Sequence, residues 1–473
     1  MHVVGVAPDR DRFVAMTLGD RELLRCARLL LLLIALLLGW GCGSKTSLGV
    51  EGLADSGRPP FDSGPSPVDT GPPPRPDCFG ELAPGDVRGQ LEGIDGRPAY
   101  DALGNLYAPQ QTEEGWRLVS HDPCLALRWA VDLPEAFDGR PWSIRTSVDV
   151  HVSGHVWLKG RFEVTRVTTD GVLDPPSLDV EGQVWTWVAI PAAGPVYGST
   201  NGTDMPKYLY RTRAGGGSDR VVLEEPSSFL WNDECLVDAG GRGAVLCWNV
   251  AYELTSLTRR YYRNPPALID GTLRNITQPA FDGARLWSLR YGISTYELIG
   301  LDARSGEMAV RQSVARTTSG QTNAIMGPPV IGPRGEVLVY FNGSRATGAD
   351  GQLHAFSGDD GDPLWSYPAP RIRGSGTGRV FSVTSNLAVG DAGVVYLAVG
   401  ESLHGVAVVG GERRWATSGL GDVNDPELQI SPLGDIAVRT GETTVTIVAT
   451  ESRGVGPTPW PVAGGGPSAT YAE

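Results

Sequence analysis

The sequence predicts an all-β fold made of one repeated unit, and three observations support this prediction. Eleven-residue windows with Gly at the seventh position and Trp at the eleventh recur along the chain, most clearly in Ala355–Trp365 and Gly405–Trp415. The windows can be placed to begin at positions 119, 165, 209, 254, 300, 355, 405 and 450. After residue 40 there is no long apolar pattern with a helical period. Such a regular step indicates a repeat array, in place of a string of unrelated domains.

Each repeat is predicted to contain four strands. Upstream of most windows, two short apolar runs flank a Gly turn, which is typical of a β-hairpin. The window itself adds a third strand, a turn at its Gly and a fourth strand that begins near its Trp. The hairpin runs are Tyr100–Tyr107, Val330–Val339, Leu387–Tyr396 and Ile430–Val438. Four antiparallel strands in about 45 residues form a propeller blade, so the eight windows predict an eight-bladed β-propeller.

The window frame Ala-x-Asp-x-x-Thr-Gly-x-x-x-Trp resembles the repeat of pyrroloquinoline-quinone-like (PQQ-like) β-propellers. The resemblance covers the chain from about Cys78 to the end, and Ala355, Gly361 and Trp365 match best. It implies that the Gly permits a tight turn and that the Trp packs between neighbouring blades. The blade-packing residues implied are Trp129, Trp365, Trp415 and Trp460. Between residues 140 and 295 the blade boundaries rest on spacing alone.

The resemblance also sets out what a catalytic member would need. The quinoprotein dehydrogenases of this fold bind calcium, stack a quinone on a Trp and often carry a disulfide between adjacent cysteines. This chain has no adjacent cysteine pair and no recognisable Glu-Asn-Asp calcium set. It also lacks the Gly-x-Ser-x-Gly elbow, the His-Glu-x-x-His motif and the phosphate loop. We therefore expect no catalytic residues, no cofactor and no metal site.

Histidines and acidic turns are the other residues that could form a metal site. His151 and His155 are separated by a Ser-Gly turn, so they need not share a face; the other three histidines of the predicted propeller are His121, His354 and His404. Two acidic turns could hold calcium through oxygen ligands, but neither follows the spacing of a known loop. They contain Asp359, Asp360 and Asp362, and Asp422, Asn424 and Asp425. Ordinary turn chemistry accounts for these residues.

The N-terminus predicts export. Arg21, Arg25 and Arg28 precede ten apolar residues, Leu29–Leu38, a length typical of a signal-peptide core and too short to span a bilayer. Gly41 directly precedes Cys42, as in a bacterial lipoprotein cleavage box. Residues 1–41 are thus a predicted lipoprotein-type signal peptide with Cys42 as the lipidation site. A simple cleaved signal and an uncleaved anchor remain as alternatives, and Met16 is an alternative start.

Residues 42–77 are predicted to be a tether, and residues 78–473 the propeller. The tether is rich in Pro and Gly, and Asp-Ser/Thr-Gly recurs in it at Asp55, Asp62 and Asp69. The spaced carboxylates could suggest calcium, but a solvated spacer is the simpler interpretation because such segments cannot bury a core. About 35 residues would average roughly 30–35 Å end to end as a flexible coil.

Four cysteines remain after the signal and the lipidation site. Cys235 and Cys247 lie symmetrically about Gly241, so a simple hairpin would place them opposite each other, as a disulfide requires. Cys78 then pairs with Cys124 by elimination. Two structural disulfides are favoured over a metal site, because no cysteine lies within four residues of another. Disulfides agree with an oxidising compartment.

The charge balance and the loops predict a binding protein. The net charge is −14 and no basic cluster follows the signal, so a nucleic-acid partner is not expected. The predicted function is a membrane-tethered, non-catalytic scaffold for a protein or cell-envelope partner, with an expected outer-membrane location on the periplasmic or surface side. The alternative is a small-ligand-binding or quinone-dependent oxidoreductase propeller that uses its central channel. The architecture is similar to that of the β-propeller lipoprotein of the outer-membrane protein assembly machine. Some repeats are longer than a blade requires, and the extra residues lie at Ala315–Asn323, Asn342–Gly351 and Arg371–Arg379. We interpret them as either neutral insertions or binding loops.

Overall fold

The structure is a computed structural model in which the chain from Thr70 onward forms one compact unit. Among the described residues no helix is both long and apolar enough to cross a membrane. The predicted signal peptide, Cys42 and the predicted tether as far as residue 75 lie outside the described residues. The structure describes residues 76–134, 147–151, 154–159, 163–174, 178–179, 184–189, 197–201, 208–212, 218–222, 235–237, 244–247, 250–253, 259–262, 274–276, 280–291, 295–302, 305, 307–316, 328–341, 351–370, 387–421, 423 and 428–456.

The described residues form an all-β fold of antiparallel sheets in which successive strands pair. A 3-10 turn, Asp77–Phe79, precedes β1 (Val87–Glu92). Sheet I contains β2 (Ala99–Tyr100), β3 (Leu106–Thr112), β4 (Gly115–His121) and β5 (Leu127–Asp132). Sheet II contains β6 (Ser147–His151), β7 (His155–Lys159), β8 (Glu163–Thr168) and β9 (Leu178–Asp179). Sheet III contains β10 (Val184–Ala189), β11 (Tyr197–Asn201), β12 (Tyr208–Thr212) and β13 (Ser218–Val222).

The later sheets repeat this plan, with one extra strand in sheet V. Sheet IV contains β14 (Cys235–Val237), β15 (Ala244–Cys247), β16 (Val250–Glu253) and β17 (Arg259–Tyr262). Sheet V contains β18 (Arg274–Ile276), β19 (Ala280–Phe281), β20 (Arg285–Tyr291), β21 (Thr295–Asp302) and β22 (Met308–Arg316). Sheet VI contains β23 (Val330–Ile331), β24 (Val337–Phe341), β25 (Gly351–Phe356) and β26 (Pro363–Ala369). Sheet VII contains β27 (Leu387–Val389), β28 (Val394–Val399), β29 (Ser402–Ala407) and β30 (Arg413–Ser418).

Sheet VIII joins the two ends of the described chain. Its first three strands are β31 (Gln429–Ile430), β32 (Asp435–Arg439) and β33 (Thr444–Ala449), and its fourth is the N-terminal β1, which pairs antiparallel with β33. The Arg88 side chain on β1 reaches Asp435 on β32, with Nη2 2.8 Å from Oδ1 and both side chains almost fully buried. The Arg88 guanidinium also lies 3.3 Å from the centre of the Phe79 ring. The first and last described strands therefore share one sheet and a buried ion pair.

The core lies between neighbouring sheets. Separate clusters of fully buried aliphatic and aromatic side chains fill the spaces between sheets I and II, V and VI, VI and VII, VII and VIII, and VIII and I. Central strands such as β28 are buried along their whole length, because both of their faces are covered by another sheet. Fourth strands such as β30 instead alternate between exposed and half-buried positions, as expected at an outer edge.

The repeated Gly and Trp meet across these spaces. The indole Nε1 of Trp365 in sheet VI donates to the carbonyl of Val408 in sheet VII at 2.8 Å. A Cβ added at Gly411 would come within 2.5 Å of the same ring. Trp129 of sheet I likewise donates to the carbonyl of Thr169 in sheet II and lies against Gly171. The Trp of one repeat thus packs on the third-to-fourth-strand turn of the next repeat, so the two residue types recur together.

Candidate interaction surface

Strand direction divides the ends of each sheet between two faces. Because the strands of a sheet are antiparallel, the first-to-second and third-to-fourth turns lie at one end. The second-to-third connections and the links from a fourth strand to the next sheet leave from the other end. We call these ends the turn face and the connection face.

The predicted binding loops join strand ends on the connection face. Residues 317–329 link β22 to β23, residues 342–350 link β24 to β25, and residues 370–386 link β26 to β27. All three begin or end on sheet VI, so they belong to one sector. Apart from Ala315, Arg316 and Gly351, the predicted loops themselves lie outside the described residues.

The lengths of these links exceed what the sheets require. Crossing from a fourth strand to the next first strand covers about three strand spacings, or ~14 Å, which about five extended residues can span. The link from β26 to β27 has 17 residues. The link from β5 to β6, residues 133–146, is also long. Sheet VI differs because it adjoins both the longest link between sheets and the longest second-to-third connection, residues 342–350, whereas the same connection in sheet VII consists of Gly400 and Glu401 alone.

Two of the described turns on the turn face are held by their own side chains. Asp101 Oδ1 accepts hydrogen bonds from the backbone N–H groups of Leu103 and Asn105, at 2.9 and 2.8 Å. Asp360 Oδ1 accepts from Asp362 N at 3.1 Å. The pKa of the Asp360 carboxyl is lowered by its hydrogen bonds to Ser357 and to backbone N–H groups. The described acidic turn thus uses Asp360 to hold its backbone, whereas Asp422, Asn424 and Asp425 lie outside the described residues.

Exposed apolar side chains are found mostly at the turn face. Of the nine large apolar side chains that are exposed among the described residues, seven lie at this end. They are Val87, Leu103, Leu127, Val172, Leu173, Leu364 and Val409. Most are single residues beside the Trp–Gly contacts, and isolated apolar residues are common on protein surfaces. They do not by themselves mark a docking site.

A disulfide fixes where the chain enters the sheets. Cys78, beside β1, is bonded to Cys124 in the turn between β4 and β5, with Cα atoms 5.7 Å apart. This turn lies on the turn face of sheet I. The first described residues therefore lie at the turn face.

Leu125 has an unusual backbone in the same turn. It occupies the seventh position of its window, which is Gly361 or Gly411 in later repeats. Its φ is +66°, close to +79° at Gly361 and +71° at Gly411. Among the described non-glycine residues it alone has a positive φ. The turn geometry is thus kept where the Gly is absent, next to the disulfide.

The second predicted disulfide would join two residues that are direct partners in the strand register. Cys235 on β14 pairs with Cys247 on β15 as direct cross-strand partners. The structure describes the backbone of these two residues but not their side chains, so the Cys235–Cys247 bond stays a prediction.

Three of the histidines are held by contacts within the protein. His121 Nδ1 lies 3.1 Å from the Leu125 carbonyl oxygen. His354 lies between the rings of Phe341 and Phe356, and burial lowers its pKa. His404 is buried, and burial, with a smaller contribution from the Arg413 charge, lowers its pKa to about 4. None of these contacts indicates a ligand.

The sequence left open whether His151 and His155 share a face. Their backbones are direct partners across the β6–β7 hairpin, so the two positions belong to the same face of the sheet. His155 Nε2 lies 2.9 Å from Asp174 Oδ2. Within the described part of the chain, no group of three or more His, Cys, Asp and Glu residues could hold a metal.

Three of the four expected blade-packing tryptophans lie in the described chain. Trp129, Trp365 and Trp415 are half-buried, and each donates a hydrogen bond from Nε1 into the following repeat. For Trp415 the acceptor is Glu451 Oε2, at 2.8 Å. Trp460 lies outside the described residues.

Comparison with known proteins identifies the fold. Neither a protein-family model nor a curated protein matches this chain. The crystal structure of BamB from Moraxella catarrhalis is similar with a TM-score of 0.51 and 13% identity, covering 77% of this chain and 99% of that one. A structure of the Dos1 propeller is similar with a TM-score of 0.53 and 11% identity, covering 79% of this chain and 95% of that one. At such identities the likeness establishes a β-propeller fold and nothing further.

Proposed function

We propose that this chain is a membrane-tethered, non-catalytic β-propeller that binds a protein or cell-envelope partner through the connection face beside sheet VI. The observation that carries the proposal is that one sheet adjoins both the longest link between sheets, residues 370–386, and the longest second-to-third connection, residues 342–350, with residues 317–329 beside them. Binding residues are commonly placed on loops that a rigid scaffold positions. Sheets VI and VII form such a scaffold, because their second strands are fully buried.

The number of blades is part of the proposal. The described strands group into eight sheets, and the PQQ-like window frame recurs eight times at a nearly constant step. Core clusters join sheets V through VIII and continue to sheets I and II. Eight blades with one sheet in each, closed by β1 in the last, account for these observations.

The charge of the loops indicates the chemistry of the partner. The chain has a net charge of −14. Residues 342–350 and 370–386 nevertheless carry four arginines, Arg345, Arg371, Arg373 and Arg379, against one acidic residue, Asp350. A local excess of positive charge in two loops of an acidic protein, even without a contiguous basic run, favours and steers an acidic partner. We therefore expect the partner to present carboxylates or other anionic groups.

The place where the folded unit begins is compatible with an accessible connection face. The disulfide places the start of the folded unit on the turn face, and a lipid on Cys42 would anchor the chain at the far end of the tether. About 35 residues allow roughly 30–35 Å of separation from the bilayer. The connection face can then point away from the membrane.

The interaction is tested by capture from detergent-solubilised membranes followed by mass spectrometry. We expect the wild type to capture a defined partner, in a way that weakens with salt. The triple substitution R371E/R373E/R379E and the deletion of residues 344–349 should each abolish capture and leave the melting curve nearly unchanged. The matched control R334E/R414E/R453E reverses three exposed arginines on the turn face and should retain capture. Equal capture by the loop variants and the wild type would remove this surface from the proposal.

The anchor and the absence of catalysis have separate tests. Metabolic labelling with a fatty acid should mark the wild type and not Cys42→Ser, and equal labelling of both would contradict lipidation. Purified protein supplied with calcium and quinone should not reduce a redox dye. Quinone-dependent reduction would contradict the non-catalytic assignment.

A further inference from the structure

Arg97 is a buried arginine to which the described chain offers no partner. Only 8% of the residue is exposed, and its Nε is buried without a hydrogen bond. No described residue forms an ion pair or a hydrogen bond with the rest of its guanidinium. An arginine stays protonated in proteins, and a buried charge is costly unless an opposite charge or hydrogen-bond acceptors compensate it. The Arg97 side chain therefore lacks an acceptor that its surroundings would be expected to supply.

Three described carboxylates on the adjoining segments have other partners. Asp95, two residues before Arg97, has its Oδ1 3.6 Å from Arg439 Nη2. Asp101 accepts hydrogen bonds from the backbone of its own turn. Asp435, on the neighbouring sheet VIII, lies 2.8 Å from Arg88. None of these carboxylates compensates the charge of Arg97.

Arg97 lies at the connection-face end of the inner strands. The first strands of neighbouring sheets contact one another, as β2 contacts β6 and β31. Arg97 belongs to the link that leads from β1 into β2, and its carbonyl accepts from Val148 N on β6 at 3.2 Å. Gln429 is the first residue of β31, so it lies at the same end. Gln429 Nε2 is also buried without a hydrogen-bond partner in the described chain.

The unsatisfied groups on these two segments are both donors, which favours an anion as the ligand. A guanidinium presents its N–H groups as a planar fork that matches the two oxygens of a carboxylate. A glutamine amide can donate to one of those oxygens. One guanidinium balances one negative charge, whereas a phosphate group carries about −1.5 to −2 at neutral pH and would leave an excess of buried charge. The small exposed fraction of Arg97 admits only a compact group.

We propose that Arg97 binds a compact carboxylate at the connection-face end of the inner strands, with Gln429 as a second donor. Arg97 supplies the compensating charge, and the amide of Gln429 donates to the same carboxylate. A free carboxylate anion and a carboxylate side chain of a bound protein present the same oxygens, so either can occupy the site. The site rests on Arg97 and not on the loops beside sheet VI, and it stands or falls separately from the proposed partner surface.

The test is denaturant unfolding of the full mature chain in increasing sodium acetate, which replaces sodium chloride at constant ionic strength. A ligand that binds only the folded state stabilises it in a saturable way, so the wild-type midpoint should rise and then level off. Arg97→Met should lose this rise. It should also be more stable than the wild type without acetate, because the uncompensated buried charge is gone. Gln429→Met should raise the half-saturating acetate concentration by about tenfold, as expected for one hydrogen bond to a charged group.

The matched control is Arg117→Met, which removes an arginine of sheet I whose Nε already donates to Gln110 Oε1 at 2.6 Å. This variant should keep the saturable rise, and phosphate should stabilise the wild type less than acetate does. The proposal is overturned if the wild type shows no saturable rise, or if Arg97→Met retains it. An unchanged half-saturating concentration in Gln429→Met would remove Gln429 from the site.

Capture from solubilised membranes distinguishes the two sources of the carboxylate. If the site holds a free anion, folded Arg97→Met should capture the same partner as the wild type. If the carboxylate belongs to the partner, Arg97→Met should lose capture, while the acetate response of the wild type is unaffected by this assignment.

Discussion

His404 is the residue whose protonation state the structure defines most closely. Ser402 Oγ donates its one hydrogen to the Val399 carbonyl at 3.0 Å, so it must accept from His404 Nε2, which lies 2.8 Å away. His404 Nδ1 therefore accepts from the Tyr367 hydroxyl, also at 2.8 Å. Tyr367 belongs to sheet VI and His404 to sheet VII, so this neutral ring connects two neighbouring sheets.

Acid should break this connection. A proton on Nδ1 would face the Tyr367 hydroxyl and lie close to the Arg413 charge, in a site from which water is largely excluded. Burial and Arg413 lower the pKa of His404 from 6.5 to about 4, so the unfolded chain binds the proton more readily than the folded one. Stability from the neutral ring is fully present above pH 6.5 and is lost as the pH falls to 4. The loss corresponds to about 3 kcal/mol of unfolding free energy.

The measurement is denaturant unfolding of the wild type and His404→Gln between pH 7 and pH 4. Other groups titrate in both proteins, so the difference between the two curves isolates His404. We expect the variant to be less stable at pH 7 and to lose less stability on acidification. Parallel curves would mean that His404 does not contribute to the acid sensitivity.

The contact between a Trp and the Gly of the next repeat is the element that recurs along the array. Gly411 needs to be Gly for two reasons: its φ is +71°, and the Trp365 ring lies where a Cβ would be. Gly393 has nearly the same φ, +69°, but nothing lies within 4 Å of its Cβ position. These two glycines therefore separate the cost of the backbone conformation from the cost of the contact.

Alanine substitutions should show that difference. Gly393→Ala should lower the free energy of unfolding by about 1–2 kcal/mol, the cost of a left-handed conformation. Gly411→Ala should lower it by a further ~1–3 kcal/mol, because the new methyl group must displace Trp365. Denaturant unfolding of the two variants beside the wild type gives both values. Equal losses of unfolding free energy in the two variants would show that the Trp365–Gly411 contact adds nothing to the cost of the substitution.

The repeated elements were predictable because their signals are local. Hairpins such as Val330–Val339 combine β-forming runs with a Gly turn within ten residues, and the structure has β23 and β24 there. The strand β1 was not predicted, because its partner β33 lies about 350 residues away and nothing near Val87 indicates that pairing. The sequence left the pairing of His151 with His155 open, because the turn between them allows several registers and only one makes them partners.

At the scale of the whole molecule, the array depends on how its two ends are joined. The described β1 brings the N-terminal end into sheet VIII, and the Cys78–Cys124 bond ties the same segment to sheet I. Closing a loop with a sequence separation of 46 residues contributes about 4 kcal/mol in the chain-entropy account. The ends are thus joined by a sheet pairing, a covalent bond and the Arg88–Asp435 ion pair.

The ion pair gives a prediction for the stability of sheet VIII, which joins the two ends of the described chain. Asp435→Leu leaves the Arg88 guanidinium buried without its carboxylate and should lower the free energy of unfolding by about 3–5 kcal/mol. The double substitution R88M/D435L removes both charges, and Met can still contact the Phe79 ring. Arg88 Nη1 has no hydrogen-bond partner among the described residues, so the double substitution also removes a buried donor whose hydrogen-bonding capacity is not satisfied. We therefore expect the double variant to recover most of the loss in denaturant unfolding, whereas a double variant as unstable as Asp435→Leu would show that an uncompensated buried charge is not the cause.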